Sequence, residues 1–262
     1  MLTNIDEIKP AGSVEEADLL DVVSSQEEID SPGTAADPKD FVDQFLPQDI
    51  LGQFSVTSYR NAALILSKKK PKQFDEILGA LRKLRITRAM LQKAGGNETE
   101  IPKLFSAELR PLGWEETVIE ADLLVRLKSR KKVSLGSSGK SLKNPRSVLH
   151  TSESRRSGFL AGHKIDYVKE GVAFDLEWNS KDQTFDRDLY AFAAFAQCGI
   201  IDAGVLVTRT KELNAIFKEL SIMDKYGAST TWMGKLLSRL EAGRNGACPV
   251  LAIGITPQCI AD

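Results

Sequence analysis

The sequence predicts an α/β fold. Three observations lead there. Ile200–Thr208 and Pro249–Ile255 are continuous apolar runs, the character of strands buried on both faces. Apolar residues recur at helical period in Phe74, Ile77, Leu78, Leu81 and Leu84, and again in Leu189, Phe192 and Phe195. From His163 onward the order reads strand, strand, helix, strand.

The elements follow in order. Residues 1–40 mix acidic and small residues with Pro10, Pro32, Gly33 and Pro38, which predicts a solvated, disordered leader with a short helix around Glu15–Val23. The folded body is expected from Phe41 to the end, largely helical to about residue 122, with a core over about 123–262. A helix is predicted over Gln73–Lys93, opened by Pro71 and ended by Gly95-Gly96. A second follows Asn97, with Ile101, Leu104, Phe105 and Leu109 inward, Asn97 or Thr99 as cap, and Pro111 and Gly113 closing it. Trp114–Leu127 reads partly as strand. His163–Asn179 reads as a hairpin, Asp188–Cys198 as an amphipathic helix, Asn214–Leu220 as helical and Ser229–Leu240 as a helix capped by its first residues, Ser229, Thr230 and Thr231.

Charge is unevenly spread. The first 40 residues hold eleven Asp or Glu against two Lys, a net of −9, so with −1 overall the remainder carries about +8. A basic body points to a polyanionic partner, and the acidic leader could screen it from nonspecific nucleic acid. Between Leu123 and Ser152 there is no acidic residue but eight basic ones: Arg126, Lys128, Arg130, Lys131, Lys132, Lys140, Lys143 and Arg146. With Ser and Gly in its middle, this stretch predicts a flexible loop able to lie along phosphates.

Other chemistries are excluded by composition. Cys198, Cys248 and Cys259 are odd in number and widely spaced, which predicts free buried thiols in a reducing cytoplasm rather than disulfides or zinc. His150 and His163 are too few for a His-rich metal site. No run of about 18 apolar residues is present to span a membrane, and the acidic start predicts no signal peptide. The segment "GSSGKS" is not a phosphate loop, because Ser134 stands where its first Gly would be.

The chemistry concentrates in "IDYVKEGVAFDLEWN", Ile165–Asn179. Strand alternation puts Val172, Phe174, Leu176 and Trp178 on one face, with Ala173, Asp175, Glu177 and Asn179 on the other. A turn at Lys169-Glu170-Gly171 folds Asp166 back beside them, so three carboxylates can converge. Such carboxylates repel one another unless a cation joins them, and Mg²⁺ suits an all-oxygen set. A bound Mg²⁺ activates water and stabilises charge on a phosphoryl group, which fits phosphodiester hydrolysis.

The segment "HKIDYVKEGVAFDLEWNSKDQTFDRDL" resembles the catalytic segment of BglII/BstYI-type type II restriction endonucleases, members of the PD-(D/E)XK nuclease superfamily. "TRTKEL" and "KYGASTTWMGKLLSRLEAGRNGACPVLAIGI" resemble the same family, and so, less densely, does "KAGGNETEIPKLFSAELRPLGWEE". The resemblance runs in order over about Phe41–Ile255. It implies a mixed β-sheet flanked by helices, Mg²⁺-dependent cleavage of double-stranded DNA by a homodimer, a short palindromic target with a GATC core, and a cognate DNA methyltransferase in the same system. Asp166, Asp175 and Glu177 match its spacing of nine and then two residues. Asp166 and Asp175 would hold metal, while Glu177 would orient or deprotonate water or reach the metal. A second register, Asp166 with Glu177 and Asn179, ranks behind it.

Two residues depart from the pattern. Asp175 stands where Glu is more usual, and Trp232 where His is more typical. Glu153 is the candidate for an upstream acid found in some relatives. Lys140, Lys143, Arg146, Asn179, Lys181, Arg209, Ser229, Thr230 and Thr231 are candidates for DNA contact, and Arg187 for phosphate contact. Asp186 and Asp188 are read as charges favouring a helix N-terminus. Trp114 and Trp178 are read as core, and His163 as structural. The competing functions are a nonspecific or repair nuclease of the same fold, and a noncatalytic DNA-binding regulator built around Arg88–Trp114.

Overall fold

A computed structural model of the chain describes residues 32–93, 100–135 and 141–261. Six strands form one sheet in the order β1-β7-β6-β5-β4-β3, with β1 Phe54–Tyr59, β3 Glu115–Leu135, β4 Ser141–Lys169, β5 Val172–Glu177, β6 Ala203–Arg209 and β7 Val250–Ile255. β5, β6 and β7 run parallel, while β1, β4 and β3 join antiparallel. The sheet is therefore mixed, as the resemblance implied. The α-helices of five or more residues are α1 Ala62–Lys69, α2 Pro71–Lys83, α3 Arg88–Gln92, α4 Glu100–Leu109, α5 Thr184–Gln197, α6 Asn214–Glu219 and α7 Met233–Glu241, and single turns at Lys39–Val42 and Gln48–Leu51 precede β1. β2 Ile86–Thr87 and β8 Ile260–Ala261 make a separate parallel pair.

Every residue of β6 and β7 is buried, because helices cover both faces of the sheet there. Phe74, Ile77, Phe105 and Trp114 pack on one face against Val172, Phe174, Val205 and Ile253. Leu189, Phe192, Phe195, Leu236 and Leu240 pack on the other against Ala173, Leu206 and Ala252. Successive residues of β5 thus enter opposite cores, the period-two alternation expected of it. At Gly204 a Cβ would lie 2.4 Å from the Phe192 ring, so glycine lets α5 press directly onto β6.

Several elements differ from expectation. The helix predicted over Gln73–Lys93 stops at Lys83, where Leu84 turns extended (ψ 118°). Ile86 and Thr87 instead pair with Ile260 and Ala261, and the Thr87 hydroxyl caps α3 by accepting the Met90 N–H. This distant pairing overrides a locally helical pattern. β1 lies inside the segment expected to be helical. The stretch predicted as a basic loop consists mainly of a pair of antiparallel strands, with register running from Leu123↔Arg156 to Val133↔Arg146. α5 begins at Thr184, four residues before the expected start, and α7 begins only at Met233, so Ser229–Thr231 precede the helix and cap nothing. Ordered packing starts before Phe41: the Gly33 and Ala35 amides donate to Glu241, and Asp37 N–H donates to the Ser58 carbonyl. Cys248 and Cys259 are buried free thiols as expected, while Cys198, closing α5, is exposed. The expected Glu15–Val23 helix, the caps Asn97 and Thr99, and Lys140 lie outside the described residues. No helix among the described residues is long and apolar enough to cross a membrane.

Candidate active site

β4 and β5 separate where the acidic residues begin. Their ladder runs Lys169↔Val172, Val168↔Ala173, Tyr167↔Phe174 and then ends. At the next step the Asp166 N–H donates to the Asp175 carboxylate Oδ1 at 3.0 Å, instead of continuing the ladder. β5 stays paired on its other side, with Asp175 beside Leu206 and Glu177 beside Thr208. The splay opens a gap on one side of a strand that is held rigidly on the other. Gly171, at φ +84°, lets the turn return the chain tightly enough to set this register.

Asp175 and Glu177 are only 5% and 7% exposed. Burial pushes the Asp175 carboxyl well above its ordinary range, and the negative charges of Asp166 and Glu177 push it further, while the Asp166 N–H and Arg187 act against them. A third buried carboxylate joins them from α5: Asp188, 2% exposed. Burial, then the charges of Glu177 and Asp175, raise it to about 9. Its Oδ2 is buried and has no hydrogen-bond partner. Arg187 neutralises part of this charge: its Nη2 reaches Glu177 Oε1 at 3.2 Å and its Nε reaches Asp188 Oδ1 at 2.9 Å.

Asp188 is therefore not the helix-terminus charge that the sequence suggests. α5 starts a turn earlier, so Asp188 falls among its inward residues Phe185, Leu189 and Phe192. A sequence signal for this exists: the carboxylate stands three residues after Phe185 and four before Phe192, on the apolar stripe rather than at its end.

The expected convergence of Asp166, Asp175 and Glu177 on one point is not what the side chains adopt. Asp166 leans toward Lys164 at 3.6 Å, and Glu177 turns toward Arg187 and Asp188. Among the described residues no three or more His, Cys, Asp or Glu side chains are arranged to hold a metal ion. The donor chemistry nonetheless fits a hard divalent cation. It consists of carboxylate oxygens alone, two of the acids carry strongly raised pKa values from burial and then from one another's charge, and one buried oxygen is unpartnered.

The far end of β5 is tied to the segment before α7. The hydroxyls of Thr208 and Thr231 both donate to the Glu177 carbonyl, at 2.9 and 3.3 Å. Lys181 bridges Thr230, the Asp182 N–H donates to the Ser229 carbonyl and the Thr231 N–H to the Ser180 carbonyl. Asn179, Lys181, Ser229, Thr230 and Thr231 are thereby brought together beside the acidic residues, with Thr231 buried and Lys181 and Ser229 exposed. Asn179 lies past the end of β5 with φ +59°, and its buried Oδ1 has no hydrogen-bond partner.

Other candidates are placed elsewhere. Arg209 is buried, donates to Asn214 Oδ1 at 3.2 Å and Thr230 Oγ1 at 3.0 Å, and sits over the Phe217 and Tyr226 rings. Burial lowers its pKa to about 10. Glu153 lies on the β3–β4 ribbon, thirteen residues before Asp166, bonded to Arg126 Nε at 2.7 Å, and is not brought to the cluster. Lys143 and Arg146 belong to β4, and their side chains are outside what is described. His163 packs on Tyr190, Trp178 on Tyr226, and Trp114 is buried with its Nε1 donating to Glu76. Arg88, in the segment proposed for a DNA-binding regulator, pairs with Glu219.

A search of curated proteins gave no match. The family model described as restriction endonuclease BglII/BglIII matches residues 54–255. That span opens with β1 and closes with β7, taking in every strand of the main sheet and the splayed acidic turn at its centre. The chain therefore belongs to the restriction endonuclease BglII/BglIII family, as an endonuclease that acts on DNA.

Proposed function

We propose that this chain is a type II restriction endonuclease that hydrolyses both strands of duplex DNA at a short palindrome, with Mg²⁺, as a homodimer. One observation carries the site assignment: Asp175 is almost fully buried, yet its carboxylate lies at the Asp166 amide and beside Glu177. A buried acid in like-charged company is costly unless a cation relieves it. Asp166 and Asp175 would hold Mg²⁺. Glu177 would orient or deprotonate the attacking water once it turns from Arg187. The bound ion would supply activated water and charge stabilisation at the phosphoryl group.

β5 ends at Glu177 and Asn179 lies beyond it in a left-handed conformation, which favours the Asp175/Glu177 register. Glu153, held by Arg126 on the ribbon, is left out of the catalytic set. Lys181, Asn179, Ser229 and Thr230 lie beside the cluster and are assigned to DNA contact, and so, by their charge, are Lys140, Lys143 and Arg146. A two-fold protein matches a two-fold site, one cluster per strand. The target assigned is a palindrome with a GATC core, the enzyme is assigned to the cytoplasm, and a companion methyltransferase would protect the host's own sites.

Purified protein incubated with plasmid and Mg²⁺ tests this, beside Asp175→Ala and, as control, Asp75→Ala on the exposed side of α2. Discrete bands are expected from the wild type and the control, and none from Asp175→Ala. A smear would mean a nonspecific nuclease. DNA that is bound but never cut would favour a regulator, and equal cutting by Asp175→Ala would remove the site assignment. Sequencing the cut ends gives the target and the stagger.

A further inference from the structure

We propose that Arg187 exchanges partners during the reaction: it neutralises Glu177 and Asp188 while the cation is absent, and moves to a DNA phosphate when the cation enters. The inference rests on the reading of Asp175 and Glu177 as the cation site.

The geometry puts the guanidinium on the oxygens a cation would need. Its Nη2 takes Glu177 Oε1 at 3.2 Å and its Nε takes Asp188 Oδ1 at 2.9 Å. One positive charge is there set against a packed group of three acids, Asp175, Glu177 and Asp188, and it leaves Asp188 Oδ2 buried and unpartnered. The clamp is incomplete, so a doubly charged ion can displace it. Both cannot hold Glu177 Oε1 at once. Turned toward Arg187 and Asp188, Glu177 is not aimed at the Asp166–Asp175 pair, and release of the arginine frees it to turn there.

The arginine is built to leave, because its side chain is 66% exposed although the carboxylates it holds are buried. Swinging outward therefore sacrifices little packing. Swung outward it enters solvent at the edge of the cluster, where the scissile backbone must lie if the acids are to reach it. A guanidinium matches a phosphate in a two-pronged hydrogen bond, and the fork that serves two carboxylates serves two phosphoryl oxygens equally well. Arg187 is thus a counter-ion that becomes a substrate contact, which couples cation entry to grip on the DNA.

The two roles predict effects of opposite sign in one variant. Calorimetric titration with Mn²⁺, without DNA, compares the full-length wild type with Arg187→Gln, Arg187→Lys and Asp175→Ala, each checked for an unchanged melting profile. Single-turnover cleavage in Mg²⁺ is then measured on the same proteins. Arg187→Gln should bind Mn²⁺ several-fold more tightly, since its competitor is gone, yet cleave about tenfold more slowly, the worth of one charge-assisted hydrogen bond. Arg187→Lys should fall between on both measures. Unchanged or weaker Mn²⁺ binding by Arg187→Gln overturns the proposal, and so does undiminished cleavage. Asp175→Ala separates the two levels: if it binds Mn²⁺ like the wild type, the cation-site reading itself has failed; if it loses Mn²⁺, that reading stands and Arg187 is judged alone.

Discussion

The Asp166 amide donates to the Asp175 carboxylate at the point where β4 and β5 part. A side chain takes over a backbone ladder position, so one residue both ends the pairing and carries the charge. Asp175→Asn keeps the acceptor oxygen for this bond and removes the charge. We expect cleavage to fall by about a thousandfold or more, within the range that electrostatic and metal-supporting groups contribute. The melting temperature should hold or rise, because a buried repulsion has gone. A melt and a cleavage assay on one preparation check both, and a lower melting temperature would show the carboxylate to be structural.

The burial of Asp188 predicts that stability in the absence of metal depends on pH. Its folded pKa, about 9, lies above its ordinary 3.8. A group raised on folding binds its proton more tightly in the native state, so its stabilising effect is full below about 4 and fades as pH rises toward 9. Asp175 is shifted in the same direction. Metal-free wild type should therefore lose melting temperature from pH 5 to pH 8 more steeply than Asp188→Asn. Scanning calorimetry in chelator at both pH values measures this. Parallel slopes would mean Asp188 is ionised throughout.

Legibility in the sequence varies residue by residue. The buried runs of β6 and β7 and the stripe Phe74–Leu81 are local patterns that survive folding, so they can be read directly. The helical pattern runs on past Lys83 because Leu84 continues the stripe, whereas the partner that makes Ile86 a strand residue lies at Ile260, far along the chain. The ribbon reads as a loop because its charges mask its alternation: Leu123, Val125 and Leu127 against Leu124, Arg126, Lys128 and Arg130. The spacing of Asp166, Asp175 and Glu177 is visible in the sequence. For Asp188 the sequence shows only that it lies on the apolar stripe of α5; that this stripe faces β5 and brings the carboxylate to Glu177 depends on packing, which no spacing within the strand reveals.

The ribbon should act through charge. Lys128, Arg130 and Lys131 are exposed, and each can meet a phosphate without giving up buried packing. Lys128→Ala with Arg130→Ala should weaken DNA binding in Ca²⁺ at low salt and reduce the slope of log affinity against log salt by about one per contact removed. Stability should change by less than about 0.5 kcal/mol, as for other exposed positions. An unchanged salt slope would place the ribbon off the DNA.

Arg209 is expected to act as a strut of the site rather than as a DNA contact. Its guanidinium is buried over Phe217 and Tyr226, and it holds Thr230, in the segment that flanks Lys181 and the end of β5. Removing it leaves the Asn214 and Thr230 oxygens short of a donor and empties a packed position. Arg209→Ala should therefore cost about 2–4 kcal/mol of stability, the usual scale for breaking a buried polar network. Cleavage should fall with it and recover at a temperature well below the lowered melting point. An arginine that contacted phosphate would behave in the opposite way, with melting unchanged and DNA affinity weakened at every temperature. Melting curves with DNA binding at two temperatures therefore decide between a strut and a contact, and Arg209→Lys sharpens the comparison. Lysine restores the charge but not the fork that spans Asn214 and Thr230, so a strut should be rescued only in part.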